Sequence, residues 1–591
     1  MSRVLPVVLL LTACEATSHT PDPNTSVVME PPQPSQPAEQ PTAAGATSEP
    51  APAGAASASD LGRVASDLAE RVGHFPIFAI TVDDSKLDAR TKSMLRKLTE
   101  AGELMDQIVL RQVDLQNPAL RTKLVGDPKL KNALIYFDMM KGPWDRTDPQ
   151  ERPFIGTRPR PPQAGFYPQD LSKADLEAWI VAHPQDKAAF QSYFTVIRRE
   201  GGALVAVPFS QAYQDLLTPA ATKLREAAAL TDDARIKTFL EKRAAAFASN
   251  DYLDSDIAWM ELGDAPIEIT IGPYEVYDDE LMGWKASFEA FVGLRDADES
   301  TRLAKVNQSL AALDKNLPLD AKYRKGTARG SASPISVVQL LYSAGQPVPH
   351  PTAYNLPNDE RVRKAKGSKK VMLKNIGEAK FKAATVPITQ RVLVESQQAL
   401  VTFDAFFTFV LMHEMAHGLG PAMVKTAHGE EEVSKALQDL FGPVEEAKAD
   451  VCGVVSTQWL VDHDVFPKSL EQGIYAAHLA SVFRSVRFGA TEAHARGELA
   501  SFNFLLEKGG FRYDAASKRY AVDFGKVKGA MRALAHEWLT LEATGDRKRT
   551  QAFFDKYGVM KPELEAAIAT LSGIPIDIRP EFMVLGKLRT W

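Results

Sequence analysis

The stretch Phe403 to Met412 (FDAFFTFVLM) is apolar nearly all round and runs straight into His413-Glu414-Met415-Ala416-His417. A helix without a polar face has to lie in a core, and this constrains the chain more than any other segment. Two imidazoles and a carboxylate at the end of a buried helix are costly unless something pairs with them. Residues four apart share a helix face, so His413 and His417 can present both rings to one metal ion. Glu414 then sits beside them, where it can take a proton from water at the metal. A core helix whose histidines bond to backbone or carboxylates would satisfy the same pattern. Gly418, Gly420 and Pro421 stop the helix directly after the site.

A third ligand is required, and its origin separates the chemistries. A third His six residues after His417 is absent, because that position is Met423. The alternative is a Glu from a downstream helix, with an acidic residue one turn later to orient a ligand imidazole. Glu446 and Asp450 have that spacing, whereas Glu445 has Ala449 one turn on and suits a supporting role. Gly442-Pro443 provides a helix start. The two segments together read as a zinc peptidase site with ligands His413, His417 and Glu446 and one Zn2+ per chain.

The rest of the composition narrows the setting. A chain of 591 residues, 45% hydrophobic, can bury a large core and form two lobes. A net charge of -6 and the lack of a basic stripe give no reason to expect nucleic acid. No apolar run reaches the length of a membrane span. At the N-terminus, Arg3, the apolar run Val4 to Leu11 and then Leu11-Thr12-Ala13-Cys14 resemble a bacterial lipoprotein signal peptide over 1–13, with Cys14 lipidated after cleavage. Residues 14–60 are rich in Pro, Ala, Ser and Thr, with no Lys or Arg between Arg3 and Arg63, a composition that suits a disordered tether. The expected location is therefore the bacterial cell envelope, anchored to a membrane on its periplasmic or cell-surface side. Cys452, the one other cysteine, reads as a packed residue rather than a ligand.

Periodicity predicts helices over 59–73, 88–113, 171–183, 184–199, 208–230 and 232–250, and loop over the proline-rich 142–168. Strands are expected at 75–82, 266–272, 371–373 and 381–394, with helix dominating from 400 to 572 and an extended tail from Ile574. The class is α+β, helix-dominated.

Several segments in order resemble the dipeptidyl-peptidase III family of zinc exopeptidases, particularly its bacterial members. They are Ile271-Gly272-Pro273-Tyr274-Glu275-Val276-Tyr277 with Phe288-Glu289-Ala290-Phe291, then Asn355-Leu356-Pro357-Asn358, the two zinc segments, and Glu492-Ala493-His494. The resemblance implies two lobes with a wide cleft, one mostly helical and zinc-binding, the other containing a small β-barrel. The corresponding division is 61–290 for the barrel-containing lobe and 291–572 for the helical lobe. Residues 335–390 return to the barrel side, which 573–591 join as an extended tail.

The resemblance further implies that Glu414 is the general base and that His494 stabilises the developing oxyanion. Glu445 and Asp450 would support the ligands, Asn355 and Asn358 would hold the substrate backbone, and Glu268 would bind the substrate's amino terminus. For Glu268, an outward strand position alternating with Ile267 and Ile269 is the competing reading. Thr270 stands where members carry a Tyr beside that pocket, and Glu498 where an Arg is expected. The implied function is zinc-dependent hydrolysis of short peptides, releasing dipeptides from the N-terminus. A zinc endopeptidase and a non-catalytic peptide-binding envelope lipoprotein are the alternatives, and the intact Glu414 favours catalysis.

Overall fold

The structure is a computed structural model and describes residues 61–324, 334–426 and 429–588. The signal-peptide and tether expectations, with Cys14, lie outside the described residues. Helix dominates, and one five-stranded sheet curls into a half-barrel. Its strands run in the spatial order Ile267–Glu275, Ser287–Arg295, Ile335–Ala344, Lys369–Leu373 and Ala353–Leu356. All neighbours are antiparallel except the parallel pair Ile335–Ala344 with Lys369–Leu373. Ala353–Leu356 is therefore an edge strand, and Asn355 stands opposite Lys370 in its register.

Two large hydrophobic cores follow. One joins the sheet to the helices Ala89–Val113, Gln214–Ala228, Ala234–Ser249 and Leu253–Met260 and takes in Ile578 and Val584 from the C-terminal segment. That segment reaches the sheet side because Arg579–Phe582 pairs in parallel with Ile77–Ile80. The other core is built from the helices between Phe403 and Ala569, with Leu303, Val306 and Leu313 from the helix Ala297–Asn316. The apolar helix spans Phe403–Ala416, and Thr402 caps it by accepting from the Ala405 amide. Phe406, Phe407, Phe409, Leu411 and Met412 are each buried, at roughly 1.5–3 kcal/mol per side chain. The acidic helix spans Phe441–Asp462, with Pro443 in its first turn.

Four expectations fail at least in part: the helix expected over 59–73 is helical only over Leu68–Gly73, the extended tail contains the helix Val584–Leu588, and two segments take the opposite state. Residues 195–199, expected as helix, lie in the strand Thr195–Glu200, hairpinned onto Ala203–Pro208. Residues 381–392 are helical, where strand was expected. In both cases a short apolar run has no periodicity of its own, and neighbours decide its state.

The two helices meet at Gly453, where an added Cβ would lie 2.9 Å from the Met412 carbonyl carbon and oxygen. Backbone cannot move aside there without shifting the helix that ends in His413. Gly453→Ala is expected to destabilise the protein by about 1–3 kcal/mol in denaturant unfolding and to weaken metal retention in the same preparation.

Candidate active site

His413 is in the last turn of its helix, and His417 caps it in αR conformation, its amide still bonded to the His413 carbonyl at 3.3 Å. Four-residue spacing therefore survives the helix end. The acidic helix crosses alongside and supplies a carboxylate to each ring. Asp450 Oδ1 lies 2.7 Å from His413 Nδ1, and Glu445 Oε1 lies 2.8 Å from His417 Nδ1. A carboxylate only accepts, so each Nδ1 carries the proton and each Nε2 turns a lone pair inward. The two Nε2 atoms then stand 3.1 Å apart, and Glu446 Oε2 is 3.4 Å and 3.9 Å from them.

Three acceptors this close repel one another unless a cation lies among them. Ligands about 2.0–2.1 Å from a tetrahedral ion are roughly 3.3 Å apart, so these spacings fit a metal. Glu446 Oε2 is buried and faces His413 Nε2, His417 Nε2 and His494 Nδ1 without a well-aligned hydrogen bond to any of them, as a ligand position would.

His494 sits at the N-terminus of Ala493–Glu507, whose first amides donate to Glu492. Its Nδ1 lies 3.0 Å from Glu446 Oε2. By distance alone, His413, Glu446 and His494 also form a group able to hold an ion. The anchoring argues for His417 instead, since its Nδ1 is engaged by Glu445 while His494 spends its Nδ1 on the ligand carboxylate. Burial would depress the His494 pKa, but the Glu446 charge holds it well above the ordinary value. Against burial, neighbouring carboxylates raise His413 as well, to about 9, so the anchoring of Nδ1, not the shift, separates His417 from His494.

Glu414 is buried, and its carboxylate accepts from Lys370 Nζ at 2.7 Å. Burial pushes its pKa up, but the Lys370 charge and the two imidazoles outweigh that and hold it below the usual carboxylate value. Lys448, fully buried, donates to Glu445 Oε1 at 2.8 Å and to the Ala416 and Leu419 carbonyls at 3.2 Å. It neutralises Glu445 and satisfies carbonyls at the end of the histidine helix. Sequence reasoning missed both lysines. Lys448 was legible as the residue one turn after Glu445, whereas Lys370 belongs to a strand brought in by tertiary folding.

The sheet side requires a correction. Glu268 is not open to a ligand: it accepts from Lys369 Nζ at 2.6 Å, Ser336 Oγ at 3.1 Å and Arg295 Nη2 at 3.3 Å, and is only 2% exposed. It points into the sheet's buried interior, and Thr270 on the same face bonds to Tyr354. The unpaired carboxyls are Glu275 and Glu289. Among the described residues neither meets a cation; Asn358 Nδ2 donates to Glu275 at 3.2 Å, and Gln346 Nε2 donates to Glu289 at 2.5 Å. Burial raises both, Glu275 to about 7, and the Glu275 charge lifts Glu289 further. Asn358 and Glu275 are thus brought together, while Asn355 sits beside Lys370 with a buried Oδ1 that has no partner. Glu498 is buried, and burial, with the Asp450 charge, pushes it to about 8.

Ligand positions held this way should fail when the holder is removed. Asp450→Ala is expected to lower metal affinity about 10–100-fold in chelator competition. Asp450→Asn, whose amide oxygen still accepts from Nδ1, should lose less.

Residues 181–458 match the model of peptidase family M49. The chain is 36% identical over 556 residues to Nudix hydrolase 3 of Arabidopsis thaliana, covering 84% of this chain and 71% of that protein. It is 25% identical over 236 residues to dipeptidyl peptidase 3 of Dictyostelium discoideum, covering 35% and 33%. The structure of DPP III from Caldithrix abyssi superposes with a TM-score of 0.85 at 44% identity, covering 88% of this chain and 100% of that one. Dipeptidyl-peptidase III from Corallococcus sp. strain EGB superposes with a TM-score of 0.72 at 41% identity, covering 88% and 98%. The family is metal-dependent, and a donor set fit for a metal lies within the matched fold. The chain belongs to peptidase family M49, the dipeptidyl-peptidase III family, and is a peptidase.

Proposed function

We propose that this peptidase binds one zinc ion through His413, His417 and Glu446 and releases dipeptides from the free N-termini of short peptides. The observation that carries the reading is the pair of inward-facing imidazoles, each clamped by a carboxylate, with Glu414 beside them and an open sheet edge opposite. When bound, zinc would polarise the scissile carbonyl and acidify water. Glu414 takes the proton from that water at its carboxylate and passes it to the leaving amine. Asp450 and Glu445 keep both rings in the reactive tautomer. His494, protonated through Glu446, can donate to negative charge developing on the carbonyl oxygen.

An extended peptide can add along the edge strand Ala353–Leu356, whose outer backbone groups face no neighbouring strand. Asn355 on that strand, with its unpartnered Oδ1, can accept from the peptide backbone. The amino terminus is assigned to Glu275 and Glu289 rather than Glu268, because two unpaired carboxyls beside Asn358 suit an ammonium group. A lipid on Cys14 would place the enzyme at a membrane of the cell envelope, a reading supported by the N-terminal sequence.

Peptides with free or blocked amino termini, given to zinc-loaded protein, test the reading. Dipeptides should leave only free termini, and Glu414→Ala should lower kcat by about 10²–10⁴. Cleavage of blocked peptides at equal rates would make it an endopeptidase, and no cleavage by zinc-bound protein would make it a binding protein.

The carboxyl pair also sets a pH dependence. The folded-state pKa of Glu275, about 7, is above the ordinary carboxylate value of 4.5. Its contribution to stability is therefore fully present below about 4.5 and is lost as pH rises toward 7. Glu275→Gln should flatten that part of the wild-type stability curve and raise KM for free-terminus peptides at neutral pH. An unchanged KM would retire the anchor.

A further inference from the structure

We infer that the protein binds a small inorganic anion where its two cores meet, between Arg484, Arg487 and Lys380. Lys380 ends the helix Lys374–Lys380, which follows directly from the sheet strand Lys369–Leu373. Arg484 lies in the last turn of Leu470–Val486, a helix of the other core, and Arg487 caps it. All three are buried, at 6%, 5% and 8% exposure.

Their charge is not balanced. Asp577, also buried, pairs with Lys380 at 2.9 Å. Lys380 additionally donates to the His350 carbonyl. Arg487 gives one bond, from Nη2 to the Pro575 carbonyl at 2.8 Å, and its buried Nε has no partner. Among the described residues the Arg484 side chain makes no hydrogen bond; its guanidinium lies 5.9 Å from the Phe406 ring centre. Three buried cations thus share one carboxylate. Glu498, the other acid acting on Arg484, is pushed up to about 8 and carries little charge at neutral pH.

Two guanidiniums held together in a low-dielectric site repel and lose hydration, a penalty far larger than a helix C-terminus returns to a cation. The strain shows in Arg487, which burial and the neighbouring Arg484 charge push down to about 9. A bound anion removes it, accepting from guanidinium N–H groups that otherwise have no acceptor.

The space fits a small ligand. Lys380, Arg484, Arg487 and Asp577 line a cavity of about 10 Å³ that opens toward solvent. That is about the room one water-sized particle needs, roughly 10–15 Å³ by this measure, and far below an organic-ligand pocket. Its other walls are apolar or backbone, including Ala383, Ala384 and Ile578. These features select a halide-sized anion over a phosphate ester or a peptide carboxylate. Because the donors come from both cores, the anion acts as a tie between them.

Thermal unfolding of the zinc-loaded protein tests this, with sodium chloride compared against the sodium salt of a bulky organic sulfonate at equal ionic strength. Chloride should raise Tm by a few degrees in a saturable way, and the sulfonate should not. Arg484→Met should lose the chloride response and, in sulfonate, melt no lower than wild type. Equal Tm of wild-type protein in the two salts overturns the site, as does Arg484→Met losing stability equally in both. Bromide-soaked wild-type crystals give a readout independent of any variant. An anomalous peak between the three cations supports the site, and bromide confined to the surface refutes it.

Discussion

The site depends on two buried helices lying close enough for carboxylates on one to hold imidazoles on the other. Gly453 permits that approach, and Asp450 and Glu445 use it to fix the protonated nitrogen of each ring. The charges involved would be prohibitive singly in such a core. They persist because they are linked: His413 to Asp450, His417 to Glu445, Glu445 to Lys448, and Glu414 to Lys370. Breaking one pair leaves a buried charge without its partner, which costs several times what an exposed ion pair is worth.

Much of this centre was legible because it is local. Two histidines four apart, and Glu446 four before Asp450, are helix-face patterns that need no knowledge of the fold. The apolar run before His413 placed them in a core. The sheet side was less legible. Glu268 and Glu275 both sit in one strand, and the sequence does not reveal which carboxylate meets a lysine from elsewhere. Lys369 and Arg295, 101 and 27 residues away, bond to Glu268. Lys370 was equally hidden, since its partner Glu414 lies 44 residues on in another element. The misread segments 195–199 and 381–392 fail for a related reason: short apolar runs take their secondary structure from what covers them.

The sheet and the helical core contribute different parts of one chemistry. The helices hold a metal-ready donor set in a rigid, nearly dry setting. The sheet offers an open edge strand with Asn355, the unpaired acids Glu275 and Glu289, and Lys370 reaching across to the general base. Lys370 links the two sides directly, since it comes from the sheet and bonds the Glu414 carboxylate on the histidine helix.

The central claim is that His417, clamped by Glu445, is a metal ligand while His494 serves the ligand carboxylate. X-ray absorption at the zinc edge tests this directly on the loaded protein and on His417→Gln and His494→Gln. The account predicts two imidazoles at about 2.0–2.1 Å in wild type, one fewer in His417→Gln, and no change in His494→Gln. Loss of an imidazole in His494→Gln, with His417→Gln unchanged, would contradict it.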